Sequence, residues 1–152
     1  LSKQKPKFKG LLTTGDIGGK KVYAIKPLTF MNNSGICIRE LIEYFKIESE
    51  NVIVFHDDLD IDFGKIKAKF GGSSAGHNGI ESIDKFIGKD YSRIRIGIGK
   101  PKKNSDVTDH VLKDFDEEEI KDLKKITTNI TDSLSILLDK KLDLFSSAIN
   151  NK

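Results

Sequence analysis

Cysteine is nearly absent from this chain of 152 residues, which contains a single one, Cys37. A single thiol can form no internal disulfide, and sparse cysteine is typical of a reducing compartment, so we expect a cytoplasmic protein. The three histidines and the cysteine show none of the close spacings of a metal site. The sequence therefore predicts no disulfide framework and no metal site of the Cys/His type, and we expect no cofactor.

Long apolar runs are also missing. No stretch approaches the roughly 18 apolar residues that a membrane-spanning helix needs, so we expect no membrane partner. Residues 1–7 are basic but lack the apolar stretch of a signal peptide. Leu1 stands where an initiator methionine is expected, which suggests that the natural N-terminus lies upstream.

The overall composition is that of a globular domain. Hydrophobic residues make up 37% and charged residues 32% of the chain. The net charge of +3 and the pI near 8.8 permit a nucleic-acid partner without requiring one. Because there is no internal repeat and no linker rich in proline or glycine, we interpret residues 1–152 as a single domain.

Helical and strand patterns alternate along the chain. We read residues 1–10 as a solvated basic lead-in, residues 22–26 as a short strand, and Ser34 as the N-cap of a following helix. The apolar run at residues 51–55 predicts a strand buried on both faces. Alternating residues 65–70 and 93–98 predict two further strands, with a helix between them that ends at Gly88.

The last quarter of the chain predicts further helix. Asp116 and Glu119 form a capping-box pattern ahead of residues with helical spacing. Strands interleaved with helices predict an α/β sandwich, in which a twisted, mixed and mostly parallel sheet is flanked by helices.

Polar side chains gather in three loops that follow strands, the usual place for function in such folds. The loops are residues 29–35, 56–60 and 71–79. They carry two amides, three carboxylates and two imidazoles, namely Asn32, Asn78, Asp57, Asp58, Asp60, His56 and His77. Such a set can orient an imidazole, hold a water molecule and bind a carbonyl group.

Each loop also has a simpler explanation. Asn32 can serve turn geometry alone, and His77 with Asn78 can simply begin a helix. The three aspartates can bind Mg²⁺ or Ca²⁺, or act as caps and solvated charge. The glycines of residues 71–79 are not followed by the Lys-Ser or Lys-Thr of a phosphate-binding loop. His110 has no clear catalytic neighbour in the sequence, so we interpret it as a structural or a surface residue.

One face of two predicted strands is basic. If the strands are neighbours, long cationic side chains converge there and can bind phosphates in a salt-dependent way. The alternative is an ordinary solvated strand face. The residues are Lys65, Lys67, Lys69, Arg93 and Arg95, followed by Lys100, Lys102 and Lys103.

Four ordered segments give this chain a family resemblance. They are KPLTFMNNSG at residues 26–35, VFHDDLD at 54–60, KFGGSSAGHNGI at 69–80 and RIRIGIGKP at 93–101. Their order and spacing resemble the bacterial peptidyl-tRNA hydrolases, and VLKDF at residues 111–115 is similar to a later family segment. The resemblance covers nearly the whole chain.

The resemblance implies a role for each site residue. Asn32 would position the attacking water, and Met31 would shape the pocket for the terminal nucleotide of the tRNA. Asp57 would hydrogen-bond the catalytic histidine, while Asn78 would bind the peptide and His77 would line the same cleft. The phosphate contacts would come from Lys67, Lys69 and Arg95. The family further implies a peptidyl-tRNA substrate, no metal and a monomer.

One departure from the family pattern matters. The family begins with a strand, an Asn-Pro-Gly turn and a Thr-Arg-His-Asn motif that supplies the catalytic histidine, and the 152 residues contain none of them. His56 is not a substitute, since it directly precedes the orienting aspartate. We therefore expect the 152-residue chain to be inactive or nearly so, and to have an unpaired sheet edge or an uncovered core face.

Three alternatives to a peptidyl-tRNA hydrolase are open from the residues. The chain could be a non-catalytic protein that binds tRNA or other RNA. It could be a metal-dependent hydrolase built on residues 56–60, or an α/β interaction domain without a ligand. Binding of tRNA at low salt, peptide release and sensitivity to chelators separate these functions.

Overall fold

The chain folds as two compact units, each assembled from separate stretches of sequence. The computed structural model describes residues 1–101 and 106–151. The first unit contains residues 1–53 and 70–92, and the second contains residues 54–69 and 93–152. The prediction of one domain over residues 1–152 stays a prediction.

The first unit begins with an antiparallel meander of three strands. Its strands are β1 (Lys5–Lys7), β2 (Gly10–Ile17) and β3 (Lys20–Pro27). Leu12 of β2 lies opposite Lys5 of β1 and Ile25 of β3, and its side chain is buried. Short turns join these strands, and such turns permit only antiparallel pairing.

Strand β1 corrects the prediction that residues 1–10 are only a solvated lead-in. All three of its side chains, those of Lys5, Pro6 and Lys7, are exposed. Its backbone nevertheless pairs with β2 from Lys5 to Lys7. Side-chain polarity reports exposure and not backbone pairing, which explains why the sequence pattern missed this strand.

Two helices complete the first unit. They are α1 (Ser34–Phe45) and α2 (Asn78–Ile87), and they contact each other along their length. Gly35 permits the close approach, because a Cβ atom there would lie 2.2 Å from the backbone oxygen of Ser82. The Ser82 hydroxyl accepts a hydrogen bond from the Gly35 N–H at 2.9 Å.

The start of α1 differs from the prediction. Ser34 is the first residue of the helix, and Asn33 occupies the N-cap position without a side-chain capping bond. A short 3-10 helix, Met31–Asn33, leads directly into α1, and the Ser34 N–H donates to the Met31 carbonyl. The backbone of this preceding turn therefore replaces the expected serine cap.

The second sheet has the strand order β4-β6-β5. Its strands are β4 (Ile53–Asp58), β5 (Ile66–Phe70) and β6 (Ser92–Gly97). The N–H groups of Ser92 and Ile98 donate to the carbonyls of Val52 and Asp58, equally spaced along both strands, which indicates parallel pairing of β4 and β6.

Strand β5 runs antiparallel to β6. Gly64 N–H donates to the Gly97 carbonyl, and Gly97 N–H donates back to the Lys65 carbonyl. The sheet is therefore mixed, and the α/β class is confirmed. Among the strand pairings described, β4 pairs with β6 in parallel. The two pairings of the meander and the pairing of β5 with β6 are antiparallel.

The predicted strand at residues 51–55 is shifted and less buried than expected. It runs from Ile53 to Asp58, and the Phe55 side chain is 43% exposed. An apolar run indicates a strand that can be buried, but whether both faces are covered depends on segments far away in sequence.

The remaining helices belong to the second unit. They are α3 (Val107–Leu112), α4 (Glu117–Asp132), α5 (Leu134–Leu138) and α6 (Leu142–Asn150). The capping box of α4 is confirmed, since Glu119 N–H donates to the Asp116 carboxylate and the Glu119 carboxylate accepts from Asp116 N–H. Among the described residues, no helix has the length and apolarity that crossing a membrane requires.

Helix α6 covers the edge of β5 that does not pair with β6. The Asn150 carboxamide accepts from Ile66 N–H at 3.2 Å and donates to the Ile66 carbonyl at 2.7 Å. The Ser146 hydroxyl accepts from Ala68 N–H at 2.9 Å. These side chains satisfy backbone groups that an open strand edge would leave for another chain.

Candidate functional site

The first group of predicted site residues lies on the 3-10 helix that precedes α1. Met31 and Asn32 occupy its first two positions, and both are exposed. The Asn33 N–H donates to the Phe30 carbonyl at 2.9 Å, which holds the turn. The Phe30 side chain is 86% exposed, so an apolar surface that the sequence analysis did not single out adjoins Asn32.

A second group lies at the start of α2. Asn78 is the first helical residue and is exposed, and His77 is the N-cap residue. The His77 Nδ1 atom accepts hydrogen bonds from the N–H groups of Gly79 and Ile80. The interpretation of this segment as a helix start is thus confirmed, and it is compatible with a role in the site.

These two groups meet within the first unit. A Cβ atom on Gly79 would lie 2.9 Å from Cγ of Met31 and 3.1 Å from Cε1 of His77. The first turn of α2 therefore contacts the 3-10 helix that carries Asn32. The structure thus places two segments next to each other, the 3-10 helix with Met31 and Asn32 and the start of α2 with His77 and Asn78.

Asp57 belongs to the second unit. It lies near the end of β4 and is half-buried. The Nδ1 atom of His56 lies 2.8 Å from the backbone carbonyl of Asp57, so His56 is engaged with the backbone of its own segment. That His56 does not take the place of a catalytic base stays a prediction.

Asp58 and Arg95 form an ion pair that the sequence analysis missed. Nε of Arg95 lies 2.8 Å from Oδ2 of Asp58, and both side chains are largely buried. Oδ1 of Asp58 accepts from Asp60 N–H at 2.8 Å. Burial would raise the pKa of the Asp58 carboxyl, but the bonds from Arg95 and Asp60 and the Arg95 charge outweigh it, so the pKa lies below its ordinary value.

The basic face forms on neighbouring strands, as the sequence analysis required. Lys67 and Lys69 are exposed on β5, beside β6 with Arg95. Since Gly97 pairs with Lys65, advancing equally along the two antiparallel strands places Lys67 beside Arg95. Cationic side chains are therefore concentrated on one face of this sheet.

Not every predicted member belongs to this exposed face. The expectation for Arg93 was wrong, because it is only 3% exposed and cannot meet a phosphate at the surface. Alternation assigns a residue to a face, but burial depends on what covers that face. Lys100 is exposed, and its Nζ atom lies 3.7 Å from Oδ1 of Asp60. Lys102 and Lys103 lie outside the described residues.

His110 makes structural contacts, which is one of the two interpretations that the sequence left open. Its Nε2 atom lies 2.9 Å from the Gly99 carbonyl and 3.2 Å from the Ile98 carbonyl, so it donates to the segment that follows β6. Over residues 1–101 and 106–151, no three His, Cys, Asp or Glu side chains are placed to hold a metal ion.

Comparison with known proteins identifies the family. A sequence profile described as peptidyl-tRNA hydrolase matches residues 1–152. The chain belongs to the peptidyl-tRNA hydrolase family. A peptidyl-tRNA hydrolase of Pelagibacter ubique is 81% identical over 152 residues, which are 100% of this chain and 82% of that protein. The enzyme of Aliarcobacter butzleri is 47% identical over 127 residues, 84% of this chain and 69% of that protein.

A solved structure of the family has the same fold. The crystal structure of peptidyl-tRNA hydrolase from Acinetobacter baumannii superimposes with a TM-score of 0.87 at 32% identity, covering 97% of this chain and 76% of that one. Peptidyl-tRNA hydrolases are hydrolases that act on an ester bond. The family assignment and the α/β sandwich predicted from the sequence are both confirmed.

Proposed function

We propose that this protein hydrolyses the ester between a peptide and tRNA in peptidyl-tRNA, in the cytoplasm and as a monomer, and so returns tRNA from stalled or aborted translation. The observation that carries the proposal is the contact between the 3-10 helix bearing Asn32 and the first turn of α2 bearing Asn78. Two exposed carboxamides in one region suit a substrate that contains an ester and peptide amides.

The family resemblance gives these residues separate roles in the proposed reaction. A water molecule attacks the ester carbonyl carbon, and the bond between this carbon and the ribose oxygen breaks. The products are a peptide carboxylic acid and a free ribose hydroxyl. Asn32 positions the water, and Asn78 binds the peptide through its amide, with His77 lining the same cleft. Met31 shapes the pocket for the terminal nucleotide of the tRNA. Asp57 orients the general base, an imidazole, and favours its charged form in the transition state.

The tRNA would be held by charge on the basic face. Lys67 and Lys69 are exposed, and Arg95 bonds Asp58 through Nε. The terminal nitrogens of a guanidinium group are the donors that suit a phosphate. Each contact displaces counterions, so binding should weaken as salt rises. The alternative, a non-catalytic RNA-binding protein, would show this binding without peptide release.

The deciding experiment measures release of the blocked amino acid from N-acetyl-aminoacyl-tRNA. We expect the 152-residue chain to be slower by about 10²–10⁴-fold than a chain extended with the family's strand and Thr-Arg-His-Asn segment, because that segment carries the histidine that the family uses as general base. Turnover by the 152-residue chain at the rate of the extended one would contradict this expectation.

Variants of the extended chain then test the site. Asn32→Ala and Asp57→Ala should each lower kcat by about 10²-fold or more. Lys69→Ala and Arg95→Ala should instead weaken tRNA binding and reduce its salt dependence by about one counterion. Arg39→Ala is the matched control, since Arg39 is exposed on α1 and pairs with Glu43 of the same helix. Full activity in both Asn32→Ala and Asp57→Ala would refute the proposed site.

A further inference from the structure

The N-cap of α2 is a histidine, which is an uncommon residue at this position. Helix N-caps are usually Ser, Thr, Asp or Asn, whose side-chain oxygen accepts from the first free N–H groups. Here the imidazole Nδ1 atom of His77 accepts from Gly79 N–H at 3.1 Å and from Ile80 N–H at 3.3 Å. The His77 backbone is extended, as an N-cap requires. The ring therefore satisfies two N–H groups at the start of the helix.

This capping determines the state of the ring. A nitrogen that accepts hydrogen bonds carries no proton, so the proton of the neutral imidazole is on Nε2. The absence of a side chain at Gly79 lets the His77 ring and the Met31 side chain pack against the first turn of α2. A Cβ atom at Gly79 would lie 3.3 Å from Nδ1 of His77 and 2.9 Å from Cγ of Met31. The ring, the first turn of α2 and the 3-10 helix thus constrain one another.

Asn78 follows the cap directly and is the first residue of α2. Its backbone conformation, and therefore the direction of its exposed carboxamide, depends on whether this first turn is formed. A frayed first turn would leave Asn78 free to adopt other conformations, and the substrate would have to order it again on binding.

We propose that His77 is a positioning residue, which acts through its Nδ1 cap on α2 to hold the Asn78 carboxamide beside Asn32. This inference rests on the proposed function, because it takes Asn78 as the group that binds the peptide. It differs from lining the cleft, in which His77 would act through a direct substrate contact at the opposite ring nitrogen.

Three substitutions separate these two modes of action. His77→Asn places a carboxamide oxygen near the position of Nδ1, which preserves the cap and removes the distal N–H. His77→Gln places an amide N–H near the position of Nε2 but is a poor cap. His77→Ala removes both groups.

In the extended chain, His77→Ala should lower kcat/KM for N-acetyl-aminoacyl-tRNA about 5- to 10-fold, the factor expected for one lost cap. The change should appear mainly as a raised KM, because Asn78 binds the substrate. His77→Asn should restore kcat/KM to within about twofold, and His77→Gln should behave like the alanine variant. In an Asn78→Ala background, His77→Ala should have little further effect, since the two residues act as one unit.

Two measurements show whether the effect goes through the helix cap. Amide hydrogen exchange at Gly79 and Ile80 should accelerate in His77→Ala and His77→Gln and return to the original rate in His77→Asn. Asp116→Ala is the matched control, because it removes the N-cap of α4 in the second unit. It should lower stability without raising KM.

The inference is overturned if His77→Gln restores activity and His77→Asn does not, since that result indicates a direct contact. It is also overturned if His77→Ala leaves KM unchanged. Failure of the proposed function looks different: Asn32→Ala and Asn78→Ala would both keep full activity, whatever the exchange rates at Gly79 and Ile80.

Discussion

Replacing Gly35 by alanine tests the close packing of α1 against α2, the helices whose first turns adjoin the proposed site. In an isolated helix alanine is favoured over glycine by about 0.5–1 kcal/mol. At Gly35, however, the new Cβ would lie 2.2 Å from the Ser82 backbone oxygen and 2.6 Å from its carbon. Backbone atoms cannot rotate away as a flexible side chain does, so α1 and α2 have to separate.

The cost can be estimated from these contacts. Overpacking in a filled interior costs about 1–3 kcal/mol, and separation also weakens the buried bond from Gly35 N–H to the Ser82 hydroxyl, worth about 1 kcal/mol. After the gain in helix propensity is subtracted, we expect Gly35→Ala to lower the free energy of unfolding by about 1–3 kcal/mol.

Urea unfolding followed by far-UV circular dichroism measures this loss. Ser82→Ala is the control, because it removes the hydroxyl acceptor without adding an atom, and it should cost about 1 kcal/mol. The extended chain carrying Gly35→Ala should also lose activity, since α1 continues directly from the 3-10 helix of Asn32. A Gly35→Ala protein as stable as the parent would show that the helices are not in this contact.

Three further outcomes are expected. Because the pKa of Asp58 lies below its ordinary value, its ion pair with Arg95 stabilises the fold fully above about pH 4, and this stability is lost as pH falls through the lowered pKa. The urea midpoint of Asp58→Asn should therefore fall less steeply on the acid side than that of the parent. Equal slopes for the two proteins would contradict this. Asn150→Ala removes both hydrogen bonds from the Asn150 carboxamide to the backbone of Ile66, so the free energy of unfolding should fall by about 1–3 kcal/mol. Aggregation measured by light scattering should rise, because the edge of β5 is then open. Unchanged scattering would count against the idea that Asn150 protects this edge. Burial raises the pKa of Cys37 to about 11, so iodoacetamide at about pH 8 should label it only after unfolding, and rapid labelling of the folded chain would refute this.

The local signals in the sequence predicted several elements well. The capping box of Asp116 and Glu119 starts α4, and Gly88, with φ of 79°, ends α2. Each of these signals lies within a few residues of the feature that it determines. Strand β1 and the cap of α1 were missed, because they depend on backbone partners and not on side-chain pattern.

The site residues were recognisable from short motifs, but their partners were not. Asp58 and Arg95 are separated by 37 positions, and only the folded sheet makes them an ion pair. Arg93 has the same alternation as Arg95 yet is buried, which no pattern within the strand reveals. The capping role of His77 was foreseen as a helix start, whereas the use of the imidazole Nδ1 for it follows only from the geometry.

The hydrogen bonds from α6 to the outer edge of β5 have a consequence for protein synthesis. Asn150 and Ile66 are 84 positions apart. At a translation rate of ~5–20 residues per second, the ribosome takes about 4–17 s to make the intervening chain. During that time the outer side of β5 has no partner from α6, so a nascent chain on a crowded polysome is exposed to strand exchange with its neighbours. A chaperone that shields extended segments would therefore help this protein most before its final helix has emerged.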